Sequence, residues 1–203
     1  MSNHAPSNTS LSPLGRAAQE YAANGLQVFP LFGIKDGRCE CGNLNCSSPG
    51  KHPRIKGGLT SATGNTTEIS MLWSKWPDSN IGVNTQNLVV IDVDGEEGRS
   101  SAQSIGLSEV RTPTVTTGNG QHFYFRRTAE CSQLKTRSGV MPGIDLRTNG
   151  GYSIAPPSNH VNGTQYSFEN GLSFSDVSFA KVPRQVASLL AKGKKETKEE
   201  ERS

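Results

Sequence analysis

An α+β domain, with a mixed or antiparallel sheet and flanking helices, is predicted for this chain on three observations. Two helical patterns come first, and a long series of short strand patterns follows them. The 203 residues include 22 Gly and 11 Pro, with 33% apolar and 19% charged residues, a profile of strands and loops rather than of a helical bundle. Three of the strand patterns alternate between apolar residues and residues that a core cannot use. The length suits one domain with a hydrophobic core of its own.

Residues 1–12 are small and polar and are expected to form a disordered leader. PLGRAAQEYAANG predicts a helix, with Pro13 near its start and Gly25 closing it. VFPLF is a short apolar strand. Residues 35–58 are a Gly-, Cys- and Lys-rich excursion without periodicity. TTEISMLWSKWP is a second helix, capped at Thr66 or Thr67 and stopped by Pro77. Strands are then expected at NIGVNT, LVVIDVD, TVTT, HFYFRR, GIDLR, GYSIAPP and TQYSF. A last helix runs from about Pro183 to Leu190. Residues 191–203 are almost entirely charged and read as a linker or frayed helix end, the edge of a domain taken from a longer protein.

Side chains along a strand alternate between its two faces. LVVIDVD therefore puts Asp92 and Asp94 on one face, with Ile91 and Val93 on the other. HFYFRR separates His122 and Tyr124 from Phe123 and Phe125. GIDLR separates Asp145 and Arg147 from Ile144 and Leu146. Three carboxylates in one patch repel one another unless something positive lies between them. Oxygen ligands suit Mg²⁺ or Mn²⁺, and a pair of such ions is the usual clamp for displacement at phosphorus. His122 and Arg147 would then face phosphates. Asp-x-Asp-Gly at a strand end also marks an ordinary turn, and the glycines beside these strands serve hairpins equally well.

The excursion contains Cys39, Cys41, Cys46 and His52, spaced C-x-C-x4-C-x5-H. Three thiolates and an imidazole make a closed structural zinc site, and the loop is otherwise too polar to pack itself. Reduced surface thiols are the plainer reading. Cys131 stands apart, an ordinary thiol or a fourth ligand in place of His52.

In order and spacing the chain resembles the bifunctional primase–polymerase domains of phage and plasmid replication proteins, in the archaeo-eukaryotic primase superfamily. The resemblance covers roughly residues 14–170, through YAANGLQVFPL, GKHPRIKGGLTSAT, NIGV, LVVIDVDG, GNGQHFYF and GIDLRTNGGYSIAPPS. It implies a catalytic domain over residues 13–190, within which residues 35–58, from their cysteines and histidine, read as a zinc-binding insertion. It implies that Asp92, Asp94 and Asp145 hold two catalytic ions, that His122 contacts the phosphates of the incoming nucleotide and that Arg147 helps to hold it. Gly120 stands where some relatives have a serine, which puts a side-chain contact there in doubt. The implied partners are single-stranded DNA template and primer, nucleoside triphosphates and a downstream helicase domain. Lys51, Arg54, Lys56 and Arg137 are candidates for phosphate contacts, and solvated loop charge explains each of them as well.

The net charge of +3 neither demands nor excludes nucleic acid. No run is long enough to span a membrane and no signal peptide is evident, so a cytoplasmic protein with reduced cysteines is expected. LVVIDVDG also resembles the nucleophile motif of haloacid-dehalogenase-type phosphatases, but Glu96 stands where that motif wants Thr. A zinc-containing module that binds single-stranded DNA or an origin without catalysis is the other alternative. Carboxylates on such a face would repel phosphate.

Overall fold

The computed structural model describes residues 11–192, so most of the expected leader and tail lies outside the described residues. Helix α1 (Pro13–Ala23) begins where Ser12 accepts a hydrogen bond from Gly15 N and proline occupies the first helical turn. The chain leaves α1 through Gly25 into strand β1 (Val28–Leu31). The expected excursion is built from a short hairpin, β2 (Ile34–Lys35) and β3 (Arg38–Cys39), followed by a series of turns. Helix α2 (Thr66–Lys75) is capped one residue earlier than expected: Asn65 Oδ1 accepts from Thr67 N at 2.9 Å and Glu68 N at 3.1 Å.

Strands β4 (Asn80–Asn84) and β5 (Leu88–Asp94) follow, and then helix α3 (Gly95–Ser104). Helix α3 has no periodic signature in the sequence, because its buried face is made of Gly98 and Ala102 and shows no apolar period. Next come β6 (Thr114–Thr116), β7 (Gly120–Arg126), β8 (Arg137–Met141), β9 (Ile144–Arg147) and β10 (Tyr152–Ala155). β8, too polar to stand out, was also unexpected. β11 (Ser167–Phe168), β12 (Ala180–Lys181) and helix α4 (Arg184–Lys192) complete the chain.

The strands divide between two larger sheets rather than one. A three-stranded antiparallel sheet has the order β1-β4-β10, and a seven-stranded sheet has the order β11-β6-β7-β5-β9-β8. β12 joins the larger sheet parallel to β7, past the end of β6, which makes that sheet mixed. Each face of the large sheet carries its own core. Val89, Ile91 and Val93 of β5 pack with Phe123, Phe125, Ile144 and Leu146 under α3 and α4. On the other face, Leu88 and Val90 of β5 join Tyr124, the small sheet, α1 and α2. The face expected to be polar is therefore apolar over half its length, and only its far end, from Asp92 onward, stays open.

Asn80, fully buried at the start of β4, ties two loops to the small sheet. Its Nδ2 donates to Gly50 O and Asn159 O, both at 2.9 Å, and its Oδ1 accepts from Asn159 N at 2.9 Å. Replacing it with leucine keeps the branched shape, adds bulk, and leaves those three main-chain groups without their partner. Asn80→Leu is expected to lower unfolding stability by about 2–4 kcal/mol, with an unchanged denaturant slope in urea titration.

Candidate active site

The open end of the large sheet carries a row of three side chains on adjacent strands. Asp92 of β5 lies directly opposite His122 of β7 on one side and Asp145 of β9 on the other. Asp94 is one step further along the same face, opposite Gly120. A Cβ on Gly120 would lie 1.8 Å from Val93 O, so the close pairing of β5 with β7 here requires glycine. Gly120 is thus explained by packing, and it is not among the residues lining the cleft.

This row is the floor of a cleft of about 780 Å³. Lys51, Tyr152 and Ser153 also line it, with Thr136 and Arg147 on the β9–β8 side and Asn119, His160 and Tyr166 on the β6–β11 side. Lys51 comes from the cysteine-rich loop, where Tyr152 donates its hydroxyl to Lys51 O at 2.8 Å.

Each carboxylate has a different setting. Asp92 is 3.3 Å from His122 Nε2. Burial pushes the Asp92 carboxyl up, but the charge and hydrogen bond of His122, with Arg147 and Lys51 beyond, outweigh this and hold it below the usual carboxylate range. Asp145 accepts three hydrogen bonds, from Ser138 Oγ and Arg147 Nη2 to Oδ2, both at 2.8 Å, and from Gly139 N to Oδ1 at 2.7 Å, which leaves lone-pair capacity on Oδ1. Asp94 accepts no side-chain or main-chain donor among the described residues, and although it immediately precedes α3 its carboxylate does not cap that helix. Burial and the neighbouring Asp92 push the Asp94 carboxyl up, against a smaller opposing pull from Lys51. Asp94 is exposed to the cleft, where water can meet its oxygens, and beside the ionised Asp92 it offers hard oxygen donors of the kind that suit Mg²⁺ or Mn²⁺.

His122 is set by a chain of hydrogen bonds. Its Nδ1 is 3.0 Å from Ser153 Oγ, which is 2.8 Å from the Tyr124 hydroxyl. The Ser153 contact to Nδ1 holds the ring so that Nε2 faces Asp92. Tyr124 is placed by the sequence on the His122 face without a role, and Ser153 is not singled out there. The signal was a serine facing the opposite way from Ile154 in β10, visible only once the strand is placed.

Three other basic candidates lie elsewhere. Arg54 is 2.7 Å from Glu40 and lies over the rings of Phe32 and Trp76, so its charge is already matched. Arg137 donates to Leu190 O at 3.1 Å, near the end of α4. Lys56 is exposed on the turn before the 3-10 turn Gly58–Ser61, outside the cleft lining.

Cys39, Cys41, Cys46 and His52 come together, with their ligand atoms all within 4.8 Å of one another. His52 Nε2 is 3.4 Å from Cys39 Sγ and 3.5 Å from Cys46 Sγ. A tetrahedral zinc bonded to sulfur at about 2.3 Å and nitrogen at about 2.0 Å sets that edge at about 3.5 Å. The donor set and its spacing fit zinc, which this cluster could bind. Gly50 N donates to Cys39 Sγ at 3.4 Å, and the His52 ring lies 4.7 Å from that of Phe32, a surrounding shell that holds two of the donors in place. Cys131 is buried in the core beneath α4, away from this group.

The sequence model of the family described as bifunctional DNA primase/polymerase, N-terminal, matches residues 18–185. No curated protein matches the chain. None of the helices among the described residues is long and apolar enough to cross a membrane. Purified protein is expected to carry about one zinc per chain by elemental analysis, a content that Cys46→Ser should remove along with several degrees of thermal stability. A metal-free wild type of equal stability would exclude a structural zinc.

Proposed function

Because the chain belongs to the bifunctional DNA primase/polymerase family, we propose that it joins nucleotides on a single-stranded DNA template by two-metal nucleotidyl transfer at the Asp92–Asp94–Asp145 row. The observation that carries this reading is the Asp94 carboxylate, without a protein donor, beside the ionised Asp92 and one strand from Asp145. These three residues would hold Mg²⁺ or Mn²⁺, which when bound lower the pKa of the attacking hydroxyl and neutralise the leaving pyrophosphate.

The protein's own part is position and charge. In the reaction a primer 3′-oxygen attacks the α-phosphorus of a nucleoside triphosphate, the hydroxyl proton passes to water, and the bond to pyrophosphate breaks. Arg147, fixed by Asp145 at 2.8 Å, offsets that carboxylate at one edge of the row and leaves its other guanidinium N–H groups to reach a phosphate. His122 directs Nε2 along the row, and its 3.3 Å contact to Asp92 is long enough to give way to a phosphate oxygen of the incoming nucleotide. Lys51 supplies a compact positive charge from the opposite wall. Zinc in the cysteine-rich loop would be structural, since the chain itself offers four ligands and would leave no position open. We place the domain in a phage or plasmid replication protein that also carries a helicase domain.

Gel-resolved extension of a primed template with Mg²⁺ or Mn²⁺ tests this reading. Asp92→Ala/Asp94→Ala is expected to reduce incorporation at least about 1,000-fold, or about 4 kcal/mol of barrier, and chelation of the metal should abolish it. Wild-type protein that binds single-stranded DNA yet adds nothing with either metal would replace the enzyme by a binding module.

A further inference from the structure

The chain has four tyrosines, and their hydroxyls are treated differently. Tyr21 donates to Pro156 O at 2.6 Å, Tyr152 to Lys51 O at 2.8 Å, and Tyr124 is bonded to Ser153 Oγ at 2.8 Å. The Tyr166 hydroxyl has no hydrogen-bond partner among the described residues, although the residue is only 3% exposed. Its hydroxyl is not sealed in the core either, since the one buried, unpartnered side-chain polar atom among the described residues is Arg127 Nε. Tyr166 lines the cleft, so the little surface it keeps faces that space. Burying a tyrosine usually brings its hydroxyl a protein partner, and here the partner is missing at the one place where a ligand can supply it.

A second donor stands beside it. The His160 ring centroid is 6.0 Å from that of Tyr166, and His160 also lines the cleft. Its Nδ1 accepts from Asn162 N at 3.3 Å, which puts the ring proton on Nε2, a nitrogen with no partner among the described residues. The ring rests on Gly118, where any Cβ would come within 2.5 Å of Nδ1, so glycine is needed for the imidazole to lie there. Asn162 Nδ2 donates to Gly118 O at 3.0 Å and locks the two loops together. Asn159, held by the buried Asn80, fixes the start of the same segment.

We propose that Tyr166 and His160 are phosphate-binding residues, donating their hydroxyl and Nε2–H to the triphosphate of the incoming nucleotide. This rests on the reading of the acidic row as a nucleotidyl-transfer site. Both groups are donors in want of an acceptor, and the phosphate chain is the part of a nucleotide that offers only acceptors. Sugar and base present donors as well, which His160 cannot accept with Nδ1 already engaged. The Tyr166 phenol keeps its proton, because burial and the Asp92 and Asp94 carboxylates push its ionisation well above the ordinary range. The wall they form lies across the row from Arg147, so the phosphates are held between the two sides of the cleft.

Binding of dATP and of inorganic tripolyphosphate to the full chain, each with Mg²⁺ or Mn²⁺, tests this by calorimetry on wild type, Tyr166→Phe and His160→Ala. Tyr166→Phe is expected to weaken both ligands by a similar factor of roughly ten, as for loss of one hydrogen bond to a charged group. Its melting temperature should not fall, since the hydroxyl has no protein partner to lose. His160→Ala should weaken both ligands too. In primer extension, Tyr166→Phe should raise the nucleotide KM and leave kcat within about twofold. Unchanged binding in both variants, a loss for dATP without one for tripolyphosphate, or no binding by wild type would each overturn the proposal. If wild type never incorporates nucleotide while Tyr166→Phe still weakens tripolyphosphate, the polymerase reading fails and the phosphate site stands.

Discussion

Two carboxylates set directly opposite each other on neighbouring strands repel, and the Asp92–Asp145 pair at the sheet's open end is held against that repulsion by everything around it. Like charges in this position weaken a strand pair unless other forces fix the register. Here the fixing is done from behind. Val89, Ile91 and Val93 alternate with the acids and lock β5 into a core with Phe123, Phe125, Ile144 and Leu146. A slip of one residue would turn those apolar side chains into the cleft and the carboxylates into the core, so the core itself specifies where the acids point. The local charge is then met piece by piece: Arg147, Ser138 and Gly139 around Asp145, His122 beside Asp92, and Lys51 from across the cleft.

The second face of the sheet explains why the acids have a cleft rather than a flat surface. Leu88, Val90 and Tyr124 are covered by the small sheet and its helices, and the cover stops before Asp92. Tyr124 is the last covered residue on its strand and its hydroxyl is hydrogen-bonded to Ser153 Oγ, which in turn sets the His122 ring. The boundary between core and cleft is thus also the start of the hydrogen-bond chain that orients the row. The loops that deepen the cleft are fastened to the same cover through Asn80.

Much of this was legible in the residues, and the limits of legibility have physical reasons. Alternation in LVVIDVD, HFYFRR and GIDLR separates acids from apolar residues on each strand, because a strand's period is a local property. Which strands are neighbours is not local, so the sequence could list Asp92, His122 and Asp145 but not set them in one row. The cysteine cluster was visible because its ligands lie within fourteen positions of one another. Arg54 and Arg137 show the opposite case: a basic residue announces charge, while its partner, Glu40 or the Leu190 carbonyl, is found only by folding. Helix α3 escaped notice because close packing selected small residues where a longer helix face would have shown leucines. His160 and Tyr166 sit in a segment with no period at all, and their meaning depends on what they fail to touch.

Helix α4 belongs to the core behind the large sheet, and the cleft opens on the front. A module fused after that helix therefore starts in the shadow of the sheet, with the full thickness of a strand layer and its packed side chains between it and the acidic row. To hand anything to the cleft it must travel around an edge of the sheet, and the tether's contour, not its chemistry, sets whether it arrives. An attachment made there leaves the approach to the front face clear, which makes the rear of the sheet the natural anchorage for a surface, a bead or a second machine.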